Sequence, residues 1–91
     1  MRLIWSAPAR RDLLRIVDYY WAISPELAAE LVARLEAAPL ILLSYPNLGT
    51  NFGKSRKWNV PGTPFILLFR SEKGAVRISR VHDARENWFP R

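Results

Sequence analysis

Five consecutive apolar residues, Phe65, Ile66, Leu67, Leu68 and Phe69, lie between Pro61-Gly62-Thr63-Pro64 and Arg70-Ser71-Glu72-Lys73-Gly74. A strand that is apolar at every position has to be covered on both faces, so it must lie at the centre of a sheet. The flanking residues supply its turns. Pro61 and Gly62 suit the central positions of a type II turn, and Pro64 opens a strand where no ladder bond is lost. Glu72-Lys73-Gly74 allows a tight connection whose glycine takes a positive φ. Residues 56–60 and 75–82 read as the neighbouring strands, which makes an antiparallel meander of three.

Upstream the hydrophobic period changes. Residues 2–5 alternate briefly, as a short first strand does. Ser6 and Pro8 then start a helix near residues 7–22: the serine accepts from an orphan N–H, and the proline lacks a donor that the first turn would waste. Leu13, Ile16, Val17 and Tyr20 share one face of this helix, with Arg11, Asp12, Arg15 and Asp18 expected on the solvent side. Ser24-Pro25-Glu26 repeats the start signal with an acid in the first turn. Leu27, Leu31, Leu35, Ala38 and Leu42 form the seam of a second helix, antiparallel to the first. Pro39 interrupts that seam and should bend it, and Tyr45-Pro46-Asn47-Leu48-Gly49 closes it. The expected fold is α+β in two layers, an N-terminal strand and helical hairpin packed on an antiparallel sheet. The hairpin covers one sheet face. The other requires the C-terminal tail, a twin subunit or a partner chain, and function is expected there.

A chain of 91 residues holds one domain, spanning 1–91, and a single modest core. With no cysteine, disulfides, thiolate zinc sites and thiol nucleophiles are excluded. One histidine cannot hold a metal alone, so neither metal nor cofactor is expected. The N-terminus has no signal-peptide apolar region, and the longest apolar run, residues 37–43, is too short for a bilayer. The expectation is a cytoplasmic protein with no membrane partner. Fourteen Lys and Arg against eight Asp and Glu give +6, a field that favours nucleic acid, ribosome or an acidic protein. Charge alone does not choose among them, and it is equally the mark of a host with arginine-rich proteins.

Four local sequences carry a resemblance that spans nearly the whole chain. They are Trp5-Ser6-Ala7-Pro8-Ala9-Arg10-Arg11-Asp12-Leu13, Tyr45-Pro46-Asn47-Leu48-Gly49, Val60-Pro61-Gly62-Thr63-Pro64-Phe65 and Arg80-Val81-His82-Asp83-Ala84-Arg85. In this order, within a strand, helical hairpin and meander, they resemble the RelE/ParE toxins of type II toxin-antitoxin systems, and the ParE branch in particular. The resemblance implies a hetero-oligomer with an acidic cognate antitoxin whose C-terminal segment wraps and neutralises the toxin. It also implies one of two targets: RelE-like members cut messenger RNA in the ribosome, whereas ParE-like members poison DNA gyrase.

Cleavage at a ribose 2′-hydroxyl needs a group to activate it, one to stabilise the phosphorane and one to protonate the leaving oxygen. By resemblance, RelE-like members supply two lysines one residue apart, an arginine after the aromatic opening the third strand, and an arginine and tyrosine near the end. Here Lys57 holds the first lysine position, Asn59 the second and Ile66 that of the arginine; no tyrosine follows the last strand. The nuclease constellation is therefore mostly missing. If the chain does cut RNA, Lys57, Arg80, His82 and Arg85 are the groups to do it, His82 being the one side chain that titrates near neutrality; the alternative is a histidine bonded locally at a strand end.

For antitoxin or target binding the candidates are Lys54, Arg56, Lys57, Arg70, Arg80, Arg85 and Trp88. Lys54, Arg56 and Lys57 precede Trp58 and either grip a nucleic-acid backbone beside a stacking ring or form a solvated hairpin over a core tryptophan. Arg70 pairs with Glu72 or with an antitoxin carboxylate. Any of Tyr19, Tyr20 and Trp21 left exposed would anchor a partner. Trp88 and Phe89 either cover the sheet or bind outward. The expected action is binding without catalysis, with gyrase as target. The alternatives are a ribosome-dependent mRNA endonuclease and an inactive homologue retained in the antitoxin's co-repressor complex.

Overall fold

The computed structural model describes residues 1–86. The elements are β1 (Arg2–Trp5), α1 (Ala7–Trp21), α2 (Pro25–Ala37), a 3-10 turn (Ala38–Leu40), α3 (Ile41–Ser44), β2 (Thr50–Phe52), β3 (Ser55–Asn59), β4 (Phe65–Glu72) and β5 (Ala75–Asp83). Two layers result, a helical hairpin on a five-stranded sheet of order β1-β5-β4-β3-β2. The apolar run is the middle of the central strand, as its composition requires.

Two features extend the sequence reading. β1 joins β5 in parallel, with Arg2 opposite Ala75 and Trp5 opposite Ile78, so the antiparallel meander becomes a mixed sheet. β2, a three-residue strand, pairs with β3 and adds an edge that no apolar pattern announced. Pro39 does break the second helix: the chain tightens into the 3-10 turn there before resuming as α3.

Phe65, Leu67 and Phe69 of β4 pack with Val76, Ile78 and Val81 of β5 and with Ala9, Leu35 and Leu42 under the helices. Both helix starts form as their sequences predict. The hydroxyl of Ser6 accepts from the Ala9 N–H and that of Ser24 from the Leu27 N–H, each at 3.2 Å. Leu27, expected in the seam, is exposed; Ala28 beside it is buried.

Asp12 departs most from expectation. It is 2% exposed and belongs to the core-facing side of α1. The sheet topology gives the reason. β1 runs out at Trp5, so beyond Ile78 the adjoining edge of β5 has no strand partner. α1 lies along that edge and supplies the missing bonds from side chains. The Ser6 hydroxyl donates to the Ser79 carbonyl at 3.0 Å, and the Asp12 carboxylate accepts from the Val81 N–H at 2.9 Å. A bulge assists: Leu68 faces Arg80 while Phe69 faces Ile78, leaving Ser79 as the extra residue, with its hydroxyl on the Leu68 carbonyl.

Arg56 closes the other end of the sheet. Its guanidinium donates to the carbonyls of Asn47, Leu48 and Gly49 and to Asn51 Oδ1, at 2.6–3.1 Å. These bonds fold the loop after α3 back onto β3. Gly49, at φ +80°, lies so close to β3 that a Cβ there would fall on the Lys57 carbonyl oxygen.

Candidate functional site

Polar chemistry concentrates where α1, from Asp12 onward, meets the end of β5. Asp12 is its centre. Its carboxylate accepts from Arg80 Nε at 2.7 Å and Nη2 at 3.1 Å, from Arg15 Nη2 at 2.6 Å and from the Val81 N–H. Burial alone would raise the Asp12 pKa. The hydrogen bonds from Arg80 and Val81 and the charges of Arg80 and Arg15 outweigh it and hold the group below its ordinary 3.8. One carboxylate thus organises two guanidinium groups, leaving a local excess of positive charge.

Beside this cluster opens a cleft of about 490 Å³. Ile16, Phe65 and Val81 contribute apolar lining, Tyr19 and Tyr20 aromatic lining, and Arg15, His82 and Arg85 charged and polar lining. The Tyr20 ring meets Phe65 edge-on, centroids 6.3 Å apart, and Tyr19 meets Tyr20 at 5.1 Å. Arg85 ties the end of β5 to the helix. It donates to Asp83 Oδ1 and Oδ2 at 2.9 and 2.6 Å and to the Tyr20 hydroxyl at 3.2 Å. The bond from Arg85 holds the Asp83 carboxyl below its usual range. Burial, reinforced by Arg80, lowers the His82 pKa from 6.5, so the imidazole is neutral at pH 7.

The residues singled out in the sequence fall into three places. Arg80, His82 and Arg85 gather at this corner, but Arg80 is committed to Asp12 and Arg85 to Asp83. Lys57 and Arg70 lie on the sheet face away from the helices, with Lys54 in the adjoining turn. The Lys57 ammonium sits 5.7 Å from the Phe52 ring centroid. Arg56 and Trp58 point to the helix side, Arg56 as the loop clamp and Trp58 packed on the core. Arg70 does not pair with Glu72, because Arg77 does, at 3.1 Å. Trp88 lies outside the described residues.

Of the four groups of the nuclease alternative, Lys57, Arg80 and His82 stand on one sheet face but on opposite sides of β4, and Arg85 lies beyond the end of β5. Lys57 is opposite Leu68 on β4 and His82 is opposite Ile66, so the central strand separates them by two strand spacings, about 10 Å. Ile66, buried, stands where a phosphorane-stabilising cation would be required. Among the described residues no three His, Cys, Asp or Glu side chains gather as a metal site. No helix among them is long and apolar enough to cross a membrane.

Sequence reasoning passed over Asp12 and the Tyr20 hydroxyl. A signal for Asp12 existed: Ala9, Asp12, Ile16 and Tyr20 follow spacings of three and four, which put the carboxylate on the buried stripe.

The comparisons with known proteins agree with this architecture. The sequence profile of the ParE toxin of type II toxin-antitoxin systems, parDE, matches residues 3–88. Toxin RelE2 of Caulobacter vibrioides is 29% identical over 83 residues, covering 91% of this chain and 94% of its own. A solved chain of the chromosomal ParDE TA system from P. aeruginosa superposes with a TM-score of 0.77 at 27% identity, covering 91% of this chain and 95% of that one.

Proposed function

This chain belongs to the ParE toxin family of type II toxin-antitoxin systems, and we propose from that premise that it is neutralised by a cognate acidic antitoxin and, when free, inhibits DNA gyrase by binding. The observation that carries the binding mode is the centre of the open sheet face. Asn59, buried Ile66 and His82 form one cross-strand row, and Lys57, Leu68 and Arg80 the next. Aliphatic side chains occupy the middle of both rows. Aliphatic side chains at the centre suit protein contact, and of the two flanking cations Arg80 is held by Asp12, so none stands at the middle of the face for a pentavalent phosphorus.

The outer side of the hairpin supports capture by an antitoxin. Trp21 and Tyr19 are 59% and 64% exposed, and Val17, Trp21, Ala29, Val32 and Ala33 line a shallow apolar groove between α1 and α2. An amphipathic antitoxin segment finds there a ring to pack on, and the +6 net charge of the toxin speeds its encounter with an acidic chain.

One observation favours the nuclease alternative. His82 is held neutral beside the cleft, the state a general base needs. Induced expression separates the readings. Growth arrest with a DNA-damage response and relaxed plasmid, relieved by co-expressed antitoxin, is the expected result. Arrest with cut messages that is lost in His82→Gln supports ribosomal cleavage, and the absence of arrest supports a homologue retained for the co-repressor complex.

A further inference from the structure

The net charge is not spread over the surface. On the sheet face turned away from the helices, and at the turns that bound it, stand Arg2 (β1), Lys57 (β3), Arg70 (β4), Arg77 (β5), Lys54 and Lys73, with Glu72 as the one acid. These six cations and one anion leave +5; Arg80, farther along the same face, is neutralised by Asp12. The topology collects them. β1 runs parallel to β5, and the β2–β3 and β4–β5 turns fall at the end of the sheet where β1 starts, so residues distant in sequence share one end of one face.

Arg70 and Arg77 are direct cross-strand partners on this face. Like charges placed opposite each other destabilise a sheet, and neither exposed Arg70 nor half-buried Arg77 packs in the core. Glu72 compensates Arg77 at 3.1 Å, and Arg70, Arg2, Lys54 and Lys73 make no side-chain ion pair among the described residues. Such a pair is favourable when an external anion lies between the two guanidinium groups.

We propose that this face binds the phosphate backbone of a nucleic-acid duplex, without reading its sequence. Five strands at about 4.8 Å spacing make a surface about 19 Å across, wide enough to lie along a double helix. Single strands are usually held in a groove with stacking rings, whereas among the described residues the Phe, Tyr or Trp ring on this face is that of Phe52, already beneath Lys57. The inference does not depend on gyrase being the target: it concerns the end of the open sheet face that carries Arg2, Arg70, Arg77, Lys54 and Lys73, away from the Ile66 and Leu68 centre, and holds or fails with purified toxin alone.

The test is anisotropy titration of a labelled mixed-sequence duplex DNA with the full chain over a range of salt concentrations. The log of the affinity should fall with the log of salt with a slope of about −3 to −5, as four or five phosphates are neutralised. Arg70→Gln with Arg77→Gln should weaken binding roughly tenfold or more and reduce the slope by about 2. Lys54→Gln with Lys73→Gln, on exposed turns, carries the same expectation should the first variant misfold. Arg11→Gln with Arg34→Gln removes the same charge from the helices and should leave the slope unchanged. The proposal is overturned by no duplex binding at low salt, or by equal loss in the helix variant. Tighter binding of single-stranded RNA or of polyglutamate of matched charge overturns it as well.

Discussion

Replacing Asp12 tests the account of how α1 completes the sheet. In Asp12→Ala the Val81 N–H loses its acceptor inside the structure, which costs about 1–3 kcal/mol. The arginines add less than their short distances suggest. Arg80 is 43% exposed and Arg15 70%, so both guanidinium groups rehydrate once released, and their bonds contribute about 1 kcal/mol together. The expected loss is therefore about 3 kcal/mol, or about 12–24 °C in Tm for a domain of this size. Asp12→Asn keeps the shape and one acceptor oxygen and should lose about 1–2 kcal/mol. Thermal melts followed by circular dichroism give the values, and a double-mutant cycle with Arg80→Ala should return a coupling of about 0.5 kcal/mol. An Asp12→Ala protein melting within about 4 °C of the parent would refute the edge-capping role.

Three further outcomes are expected. Gly49→Ala should destabilise by about 3 kcal/mol or more, since a methyl at φ +80° meets the β3 backbone, whereas Gly53→Ala, facing open space at φ +61°, should cost about 1 kcal/mol; chemical denaturation compares them. Arg56→Lys should lose nearly as much as Arg56→Ala, about 1–2 kcal/mol, because an ammonium cannot span three carbonyls and Asn51 Oδ1 from one fixed plane. Stability should fall with acidification in two windows. The folded state resists protonating His82, so the first loss begins as pH drops below 6.5 and is absent in His82→Gln. The second begins below 3.8 as Asp12 and Asp83, both lowered, gain protons more readily in the unfolded chain. Urea midpoints measured across pH resolve the two.

Patterns of short range made the fold legible. The apolar pentad fixed the central strand, Ser6-Ala7-Pro8 and Ser24-Pro25 fixed both helix starts, and Pro39 marked the break in the second helix. What remained hidden depends on residues far apart in the chain. The parallel pairing of β1 leaves no local trace, and β2 is held by Arg56 and by backbone bonds to β3 with hardly any apolar pattern of its own. Asp12 reads as a surface acid beside Arg15 until the open edge of β5 is placed against it, 69 residues away in sequence. The site was legible in composition but not in allegiance. Arg56, Arg80 and Arg85 have the look of free cations, yet each is engaged within the structure, while Arg77, Arg2 and Lys73 drew no notice until the sheet brought them together.

The central claim is that the toxin acts by binding and lacks the groups to break a phosphodiester. Supercoiling by purified gyrase in the presence of purified toxin tests it most directly, with translated mRNA in the ribosomal A site assayed alongside. The account predicts that supercoiling is blocked, equally by the parent and by His82→Gln, while the message stays intact. Undisturbed supercoiling together with cut message would contradict it.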